Sequence, residues 1–183
     1  QTLVQDRSLK IKEETEVKHV RRKAENQFDI ETSDGKVFPA RYVLVAIGRQ
    51  GQPRLLDCDG ADDAHKVTYR LHSPEDYGNS KVLVVGGGNS AIEAALLLKD
   101  GNEVTLSYRG DEFFRAKEAN QKLLAEAEAS GELTVIRSSN VTSIRSAEVD
   151  LEVEGKSATI DNDFVVVQIG TLPPVPFLMD LGV

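Results

Sequence analysis

Residues 81–109 contain the pattern that most constrains how this chain can fold. An apolar run from Lys81 to Val85 ends in the glycines Gly86 and Gly88, and a stretch with helically spaced apolar residues follows. Such a run suits a central parallel strand that is covered on both faces, and the glycines permit a sharp turn from strand into helix. A second apolar strand is expected around Val104. The spacing therefore predicts a strand-helix-strand unit of a parallel sheet.

The glycine turn is also a place where an anion can bind. Gly88 lets the backbone approach a phosphate without a Cβ in between, and Ala91 stands where a third glycine often keeps the helix close to the sheet. Backbone N–H groups near Asn89 and Ser90 lie at the positive end of the helix dipole and have no helical partner. We therefore expect Gly86, Gly88 and the N–H groups at Asn89 to Ala91 to hold the pyrophosphate of a nicotinamide dinucleotide.

The end of the second strand bears on which nicotinamide cofactor is bound. An NAD site usually offers a carboxylate there to the adenosine ribose, but this strand ends at Tyr108-Arg109 without one. The guanidinium groups of Arg109 and Arg115 can converge on a 2′-phosphate, which favours NADPH over NADH. The alternative is that both arginines are solvated and that Asp111 or Glu112 serves the ribose of NADH.

The other segments predict an α/β fold, namely a Rossmann-like dinucleotide-binding domain with a parallel sheet and a β-meander. Residues 116–130 have one apolar helical face and end at Gly131, and residues 133–137 supply a third parallel strand. Segments 141–144, 149–154, 157–160 and 164–169 follow as strands, of which the last returns to the sheet. Near the N-terminus, Asp34-Gly35 is a two-residue hairpin signal between residues 28–32 and a strand expected over 37–47, which predicts a second small β-meander.

Composition limits the classes of function. The 183 residues carry a formal net charge of −8 at pH 7, so we expect no nucleic-acid surface, and the basic segment from His19 to Lys23 is interpreted as a solvated strand edge or turn. With no apolar run near 18 residues and no signal-like N-terminus, we expect neither a membrane span nor secretion, and a cytoplasmic protein. The three histidines are too widely spaced for a metal site, and no residue is assigned as catalytic.

Several motifs resemble those of flavoprotein reductases with two dinucleotide-binding domains, related to thioredoxin reductase and to thioredoxin reductase-like ferredoxin-NADP reductases. GGGNSAIEAA looks like that family's NADPH loop, and YRGDEFFRAK resembles its basic phosphate-binding stretch. Residues 28–53 and 164–174 are similar to the two crossover segments between its flavin and NADPH domains. The resemblance implies that residues 1–50 are a flavin-domain remnant, 51–169 the NAD(P)-binding domain and 170–183 a return crossover. The alternative for the N-terminal meander is a self-contained cap.

The resemblance also implies that the flavin domain is incomplete here. No G-x-G-x-x-G turn precedes residue 48, and the Gly-Asp motif that places the flavin ribityl chain is missing. Together with the start at Gln1 and the stop at Val183, this indicates an excised piece of a longer polypeptide. We expect the piece alone to be inactive and to bind FAD weakly or not at all, whereas the full-length parent carries FAD.

The cysteine count bears on the electron acceptor. Thioredoxin reductase proper places a C-x-x-C pair in this domain, whereas Cys58 is the single cysteine of this chain and residues 115–141 contain none. Cys58 is interpreted as an incidental thiol. The resemblance then points to dithiol-free members, in which reduced flavin passes electrons to an external acceptor such as ferredoxin, a small disulfide or a quinone. A homodimer is left open.

Two residues are expected nearest the nicotinamide, Glu93 and Gly170. The resembled family has an acid at the position of Glu93, although a surface carboxylate favoured by the helix dipole is an equal alternative. Gly170 closes the last strand at the edge where such sheets bind ligands. The expected function is to pass hydride from NADPH to flavin as the NADPH domain of an FAD-dependent oxidoreductase. A non-catalytic NAD(P)-sensing module and the NADPH domain of a flavin monooxygenase are the alternatives.

Overall fold

The computed structural model describes residues 10–46, 52–71, 73–172 and 175–180. The chain divides into two compact units, one made of residues 1–51 and 173–183 and the other of residues 52–172. No helix in the described ranges has the length and apolar character that crossing a bilayer requires.

The first unit contains an antiparallel three-stranded sheet and a short helix. The strands are β1 (Val17–Ala24), β2 (Gln27–Thr32) and β3 (Val37–Ala40), in the order β1-β2-β3, and the helix spans Val175–Asp180. The basic segment lies on β1, an edge strand whose side chains are mostly exposed. The interpretation of this segment as a solvated strand edge is confirmed.

The N-terminal hairpin forms where the sequence predicts it, but with a wider loop and a shorter second strand. Thr32 N–H donates to Lys36 O at 3.0 Å, and Gly35, with φ +78°, donates to Thr32 O at 2.9 Å. The prediction of a strand over 37–47 is wrong beyond Ala40, because past the Phe28–Ala40 pair β2 has only Gln27 left, which lies opposite Ala24 at the turn from β1. Ile47 lies outside the described residues.

The second unit is built on a five-stranded parallel sheet. Its strands are β4 (Val67–Thr68), β5 (Lys81–Val85), β6 (Glu103–Ser107), β7 (Thr134–Ile136) and β11 (Phe164–Val167), in the order β4-β11-β5-β6-β7. Helix α1 (Asn89–Leu98) joins β5 to β6, and α2 (Glu118–Ala129) lies between β6 and β7. A 3-10 helix at Pro74–Tyr77 precedes β5. The predicted strand-helix-strand unit and the third parallel strand are confirmed.

An antiparallel meander lies between β7 and β11. It consists of β8 (Ser139–Ile144), β9 (Glu148–Val153) and β10 (Lys156–Asp161), in the order β10-β9-β8. Glu154 and Gly155 form the turn between β9 and β10 with φ of 50° and 77°, as a two-residue hairpin with mirror-image dihedrals requires. The predicted α/β fold with a parallel sheet and β-meander is confirmed.

Both faces of the parallel sheet are covered, and β5 shows why. Val82 and Val84 are buried in the cluster that contains the helices, whereas Leu83 and Val85 are buried in the cluster that contains the meander. Successive side chains of a strand point to opposite faces. An uninterrupted apolar run is therefore what this strand needs.

Helix α2 is shorter at its start than the predicted span of residues 116–130. Lys117 is extended, with φ −62° and ψ 144°, and its N–H donates to the side chain of Asn89 rather than entering a helical turn. Gly131, with φ +74°, ends the helix as predicted. The first turn of α2 is thus defined by a residue of α1, which sequence periodicity does not show.

A buried lysine connects β4 to the segments around the meander. Lys66 is 6% exposed, and its Nζ donates to the carbonyl oxygens of Arg145 at 2.5 Å, Ser146 at 3.2 Å and Asn162 at 2.8 Å. Burial lowers the pKa of this ammonium, while nearby carboxylates, Asp163 first, oppose that shift. The three carbonyl groups compensate part of the cost of burying the charge.

Candidate functional site

The candidate site lies where the strand order of the parallel sheet reverses. From β5 the chain proceeds through β6 to β7 on one side, whereas β11 and β4 lie on the other. The carboxyl ends of β5 and β11 are neighbours, since Val85 pairs with Val167. In open parallel sheets of this kind, ligands bind in the crevice outside such a reversal point.

Gly86 begins the turn that leaves β5 at this crevice. Its φ is +146°, and its N–H donates to Ser107 O at 3.0 Å. A Cβ at this position would overlap the carbonyl oxygen of Gln168, whose own N–H donates to Val85 O at 2.7 Å. Glycine is therefore required where the turn leaves β5, both for its backbone angle and for the space next to β11.

Gly88 presents open backbone at the start of α1. A Cβ built on Gly88 meets no atom of the described residues within 4 Å, and the residue is the N-cap of the helix, without a side-chain capping bond. In the described part of the chain, the N–H groups of Asn89 and Ser90 have no acceptor. These groups lie at the positive end of the helix dipole, where an anion is favoured.

The predicted donor set needs one correction. The Ala91 N–H donates to Gly88 O at 3.1 Å, so it is already used inside the first turn and is not available to a ligand. The completely buried side chain of Ala91 lies next to Gly86, whose Cβ, if built, would be 3.0 Å from that of Ala91. The expected role of Ala91 in keeping the helix close to the sheet agrees with this packing.

A buried aromatic side chain supports the glycine turn from behind. Tyr108 is 9% exposed and stacks on Phe113, with ring centroids 4.9 Å apart. A Cβ on either Gly87 or Gly110 would collide with the Tyr108 ring. The sequence reasoning missed this arrangement, although glycines at both positions, neither of which the dinucleotide motif demands, were a usable signal.

A second missed residue is Asn120, which is half-buried in the first turn of α2. Its Nδ2 donates to Asn89 Oδ1 at 3.1 Å and to Glu93 Oε1 at 2.9 Å, and both acceptors belong to α1. Glu93 is exposed and its carboxylate is directed at α2. A position near the nicotinamide stays a prediction for Glu93. No sequence signal pointed to Asn120, because an asparagine on an amphipathic helix is ordinary.

The two predicted phosphate-binding arginines lie in the loop between β6 and α2. Arg109 and Arg115 are both exposed, and in the described part of the chain neither has a carboxylate within ion-pair distance. The Arg115 guanidinium lies 5.6 Å from the ring centroid of Phe114, which is 70% exposed. Asp111 and Glu112 are exposed in the same loop. The loop thus offers two cations and an aromatic face to solvent.

Gly170 lies beyond the carboxyl end of β11, two residues after Gln168. It has φ +97°, is exposed, and its carbonyl oxygen accepts from Arg54 N–H at 3.0 Å. Gln168 in turn donates to the end of β5. Gly170 is therefore at the edge of the sheet where folds of this kind bind ligands, and its proximity to a nicotinamide stays a prediction.

Cys58 lies in a separate, partly apolar groove of about 510 Å³ that is also lined by Leu55, Ala61 and Tyr69. The thiol is half-buried, and burial together with the charges of Asp59 and Asp57 raises its pKa. A raised pKa disfavours the reactive thiolate. Within the described ranges, no group of three or more His, Cys, Asp and Glu side chains is arranged to hold a metal ion.

Known proteins resemble the whole chain. Residues 1–183 match the family model described as pyridine nucleotide-disulphide oxidoreductase. Bacilliredoxin reductase Bdr from Bacillus subtilis (strain 168) is 34% identical over 163 residues, covering 86% of this chain and 49% of that protein. Ferredoxin-NADP reductase from Ignicoccus hospitalis is 31% identical over 156 residues, covering 83% of this chain and 50% of that protein.

A solved structure agrees with these sequence relationships. Bacillithiol disulfide reductase Bdr from Staphylococcus aureus has a TM-score of 0.89 and 33% sequence identity, covering 99% of this chain and 56% of that one. This chain spans about half the length of the relatives that it matches.

Proposed function

The chain belongs to the pyridine nucleotide-disulphide oxidoreductase family, and from this premise we propose that its second unit is the NADPH-binding domain of an FAD-dependent reductase. Residues 52–172 hold the nicotinamide nucleotide, and residues 1–51 and 173–183 belong to the flavin domain of the whole protein; these bounds follow the two compact units and differ by one to three residues from those expected from the sequence. The resemblance drawn from the sequence is thereby confirmed at the level of the family.

The observation that carries this proposal is the anion site at the start of α1. The N–H groups of Asn89 and Ser90 are available, and the surface of Gly88 is open enough for a phosphate to approach the backbone. Gly86 brings this helix start to the reversal point of the strand order. A pyrophosphate bound there accepts hydrogen bonds from both amides and neutralises the positive end of the helix.

The preference for NADPH rests on Arg109 and Arg115. Both guanidinium groups are exposed in the loop that follows β6, the strand next to β5. Each charge-assisted bond to a 2′-phosphate contributes about 1.5–3 kcal/mol, which corresponds to roughly tenfold to a hundredfold in affinity. NADH lacks the 2′-phosphate and gains nothing from these groups.

The residues of this chain act by binding and orientation. NADPH, when bound, supplies a hydride for the flavin, and the protein's part is to hold the nicotinamide ring against that acceptor. Gly86, Gly88, Asn89 and Ser90 fix the pyrophosphate, and Gly170 leaves the adjoining edge of the sheet free of a side chain. No catalytic side chain is assigned.

The acceptor of the whole reductase is proposed to be an external disulfide or ferredoxin. The relatives include a bacilliredoxin reductase, a bacillithiol disulfide reductase and a ferredoxin-NADP reductase. Cys58 is the single cysteine of the 183 residues, so these residues contain no dithiol that could relay electrons. To distinguish these two acceptors, the rate of anaerobic NADPH oxidation by the flavin-loaded reductase is measured once with bacillithiol disulfide and once with ferredoxin. Turnover that requires oxygen would instead support a monooxygenase.

Calorimetric titration of the 183-residue chain with NADPH and NADH tests the cofactor assignment. We expect NADPH to bind roughly tenfold to a hundredfold more tightly than NADH. Absence of binding by both nucleotides would overturn the proposed function. Equal affinities would overturn only the preference for NADPH. The assignment as a nicotinamide-nucleotide-binding domain would stand.

A further inference from the structure

We propose that Asn120 is a positioning residue that fixes the pyrophosphate-binding end of α1 relative to the arginine loop before α2. The inference rests on the proposed function, since it concerns how the two halves of the same nucleotide site are held together. Asn120 is not expected to touch the nucleotide.

The carboxamide of Asn120 uses both of its N–H hydrogens on α1. One is donated to Asn89 Oδ1 at 3.1 Å and the other to Glu93 Oε1 at 2.9 Å. Asn89 and Glu93 are four residues apart, and such residues lie one above the other on the same face of a helix. Two bonds along one face fix both the rotation and the axial position of α1 against the first turn of α2.

Asn89 is held a second time from the same direction. Its Oδ1 also accepts the Lys117 N–H at 2.8 Å. Lys117 is the N-cap residue of α2 and makes no side-chain capping bond of its own. Free N–H groups at a helix start need an acceptor, and here a residue from α1 supplies it. The Oδ1 of Asn89 therefore accepts two hydrogen bonds, one from α2 and one from its N-cap residue.

This arrangement acts on the ligand because Asn89 has two functions. Its side chain is fixed by Lys117 and Asn120, while its backbone N–H is one of the two free donors at the start of α1. The loop with Arg109 and Arg115 runs directly into Lys117. A binding constellation must be held to within about 0.5 Å to be effective. Asn120 therefore sets the separation between the pyrophosphate donors and the arginines.

The test compares a ligand that spans both halves with a ligand that reaches only one. NADPH contacts the pyrophosphate donors and the arginines, whereas adenosine 2′-monophosphate carries only the phosphate that the arginines recognise. Asn120→Leu keeps the size of the side chain and removes its hydrogen bonds. The matched control is Lys122→Ala, which removes a 77% exposed side chain from the same helix.

We expect Asn120→Leu to weaken NADPH binding about tenfold, as loss of roughly one hydrogen bond to a charged group implies. Affinity for adenosine 2′-monophosphate, measured by competition, should change less than twofold, and Lys122→Ala should change neither. Unchanged NADPH affinity, or equal losses for the two ligands, would overturn the inference. If the unmodified chain binds neither nucleotide, the proposed function itself fails, and that failure is visible without any variant.

A polarity exchange keeps the test decisive if Asn120→Leu does not fold. Asn120→Asp places an acceptor against the acceptors of Asn89 and Glu93 and should weaken NADPH binding more than tenfold. Adding Glu93→Gln reverses the bond between positions 93 and 120, because the new amide N–H at position 93 can donate to the carboxylate introduced at position 120. We expect the double variant to bind NADPH at least threefold more tightly than Asn120→Asp. Glu93→Gln alone is measured as the fourth member of this double-mutant cycle. A double variant no better than Asn120→Asp would contradict a positioning role.

Discussion

The ring of Tyr108 fills the space into which a side chain on Gly87 would have to extend. The same ring also leaves no room on its other side, where a Cβ on Gly110 would lie 2.8 Å from Tyr108 Cε1. Stacking on Phe113 fixes the ring in this position. The glycine turn and the arginine loop are therefore packed against one aromatic side chain, and the requirement for glycine at position 87 comes from this contact.

Gly87→Ala should destabilise the fold and impair the site together. The added methyl group displaces the Tyr108 ring, and overpacking of this kind costs about 1–3 kcal/mol. We expect the free energy of unfolding, measured by chemical denaturation, to fall by that amount and NADPH affinity to fall with it.

Gly88→Ala, one residue along the chain, should lower NADPH affinity without lowering stability. Its Cβ meets no atom of the described residues within 4 Å, so stability should stay within about 0.5 kcal/mol of the unmodified chain, as for ordinary surface substitutions. NADPH binding should nevertheless weaken, because the methyl group stands where the phosphate approaches. Equal stability losses for the two variants would contradict the packing described for Tyr108.

Arg109→Ala and Arg115→Ala should change the choice between cofactors rather than the fold. Each is expected to lower NADPH affinity by roughly tenfold or more and NADH affinity by less than about threefold, because only NADPH offers a 2′-phosphate. Calorimetric titration of both nucleotides gives the ratio, with Lys122→Ala as a control that removes one exposed positive charge elsewhere. If both nucleotides lose affinity equally, the arginines do not read the 2′-phosphate.

Lys66→Met should lower the free energy of unfolding by about 2–4 kcal/mol. The substitution leaves the carbonyl groups of Arg145, Ser146 and Asn162 without the donor that each has now, and a buried group without its partner costs about 1–3 kcal/mol. Urea denaturation at neutral pH measures the change. Lys156→Met, at an exposed position of β10, is the matched control and should have little effect. A similar loss in both variants would rule out a special role for the buried ammonium.

The pair of Glu128 and Arg137 should make stability depend on pH in the acidic range. Two hydrogen bonds from Arg137, at 2.7 and 2.6 Å, lower the pKa of Glu128 below its ordinary 4.5. Below pH 4.5 the unfolded chain binds a proton that the folded chain does not, so this contribution to stability is present above 4.5 and is lost as pH falls through the folded pKa.

Glu128→Gln should therefore cost about 0.5–1 kcal/mol at neutral pH, a value reduced by the partial exposure of both side chains. The difference in the free energy of unfolding between Glu128→Gln and the unmodified chain should vanish once the pH is below the folded pKa of Glu128. Glu126→Gln is the control, because its carboxylate lies 3.9 Å from Lys122 Nζ on an exposed helix face. A difference that persists unchanged to acid pH would show that the pair does not titrate as described.

The sequence predicts the central part of the second unit well because its signals are local. The apolar run of β5, the glycines that follow it and the periodicity of α1 each reflect a requirement within a few residues, and all three are found as expected. Local backbone chemistry and strand or helix periodicity suffice for these elements.

The features that were missed depend on contacts between distant segments. The start of α2 depends on Asn89, which lies 28 residues earlier in α1. Tyr108 contacts Gly87, which follows β5, and Asn120 contacts Asn89 in α1. Both contacts depend on how β5, β6 and the two helices pack together. Neither residue type carries a spacing rule that would identify it in advance.

The position of β11 between β4 and β5 has a consequence for biosynthesis. Phe164 pairs with Val82 and Val165 with Val67, so β5 has only one neighbour until the ribosome has released the whole meander. During that interval its free edge is an apolar strand open to pairing with other chains. Premature termination before β11 should therefore yield aggregation rather than a smaller nucleotide-binding protein.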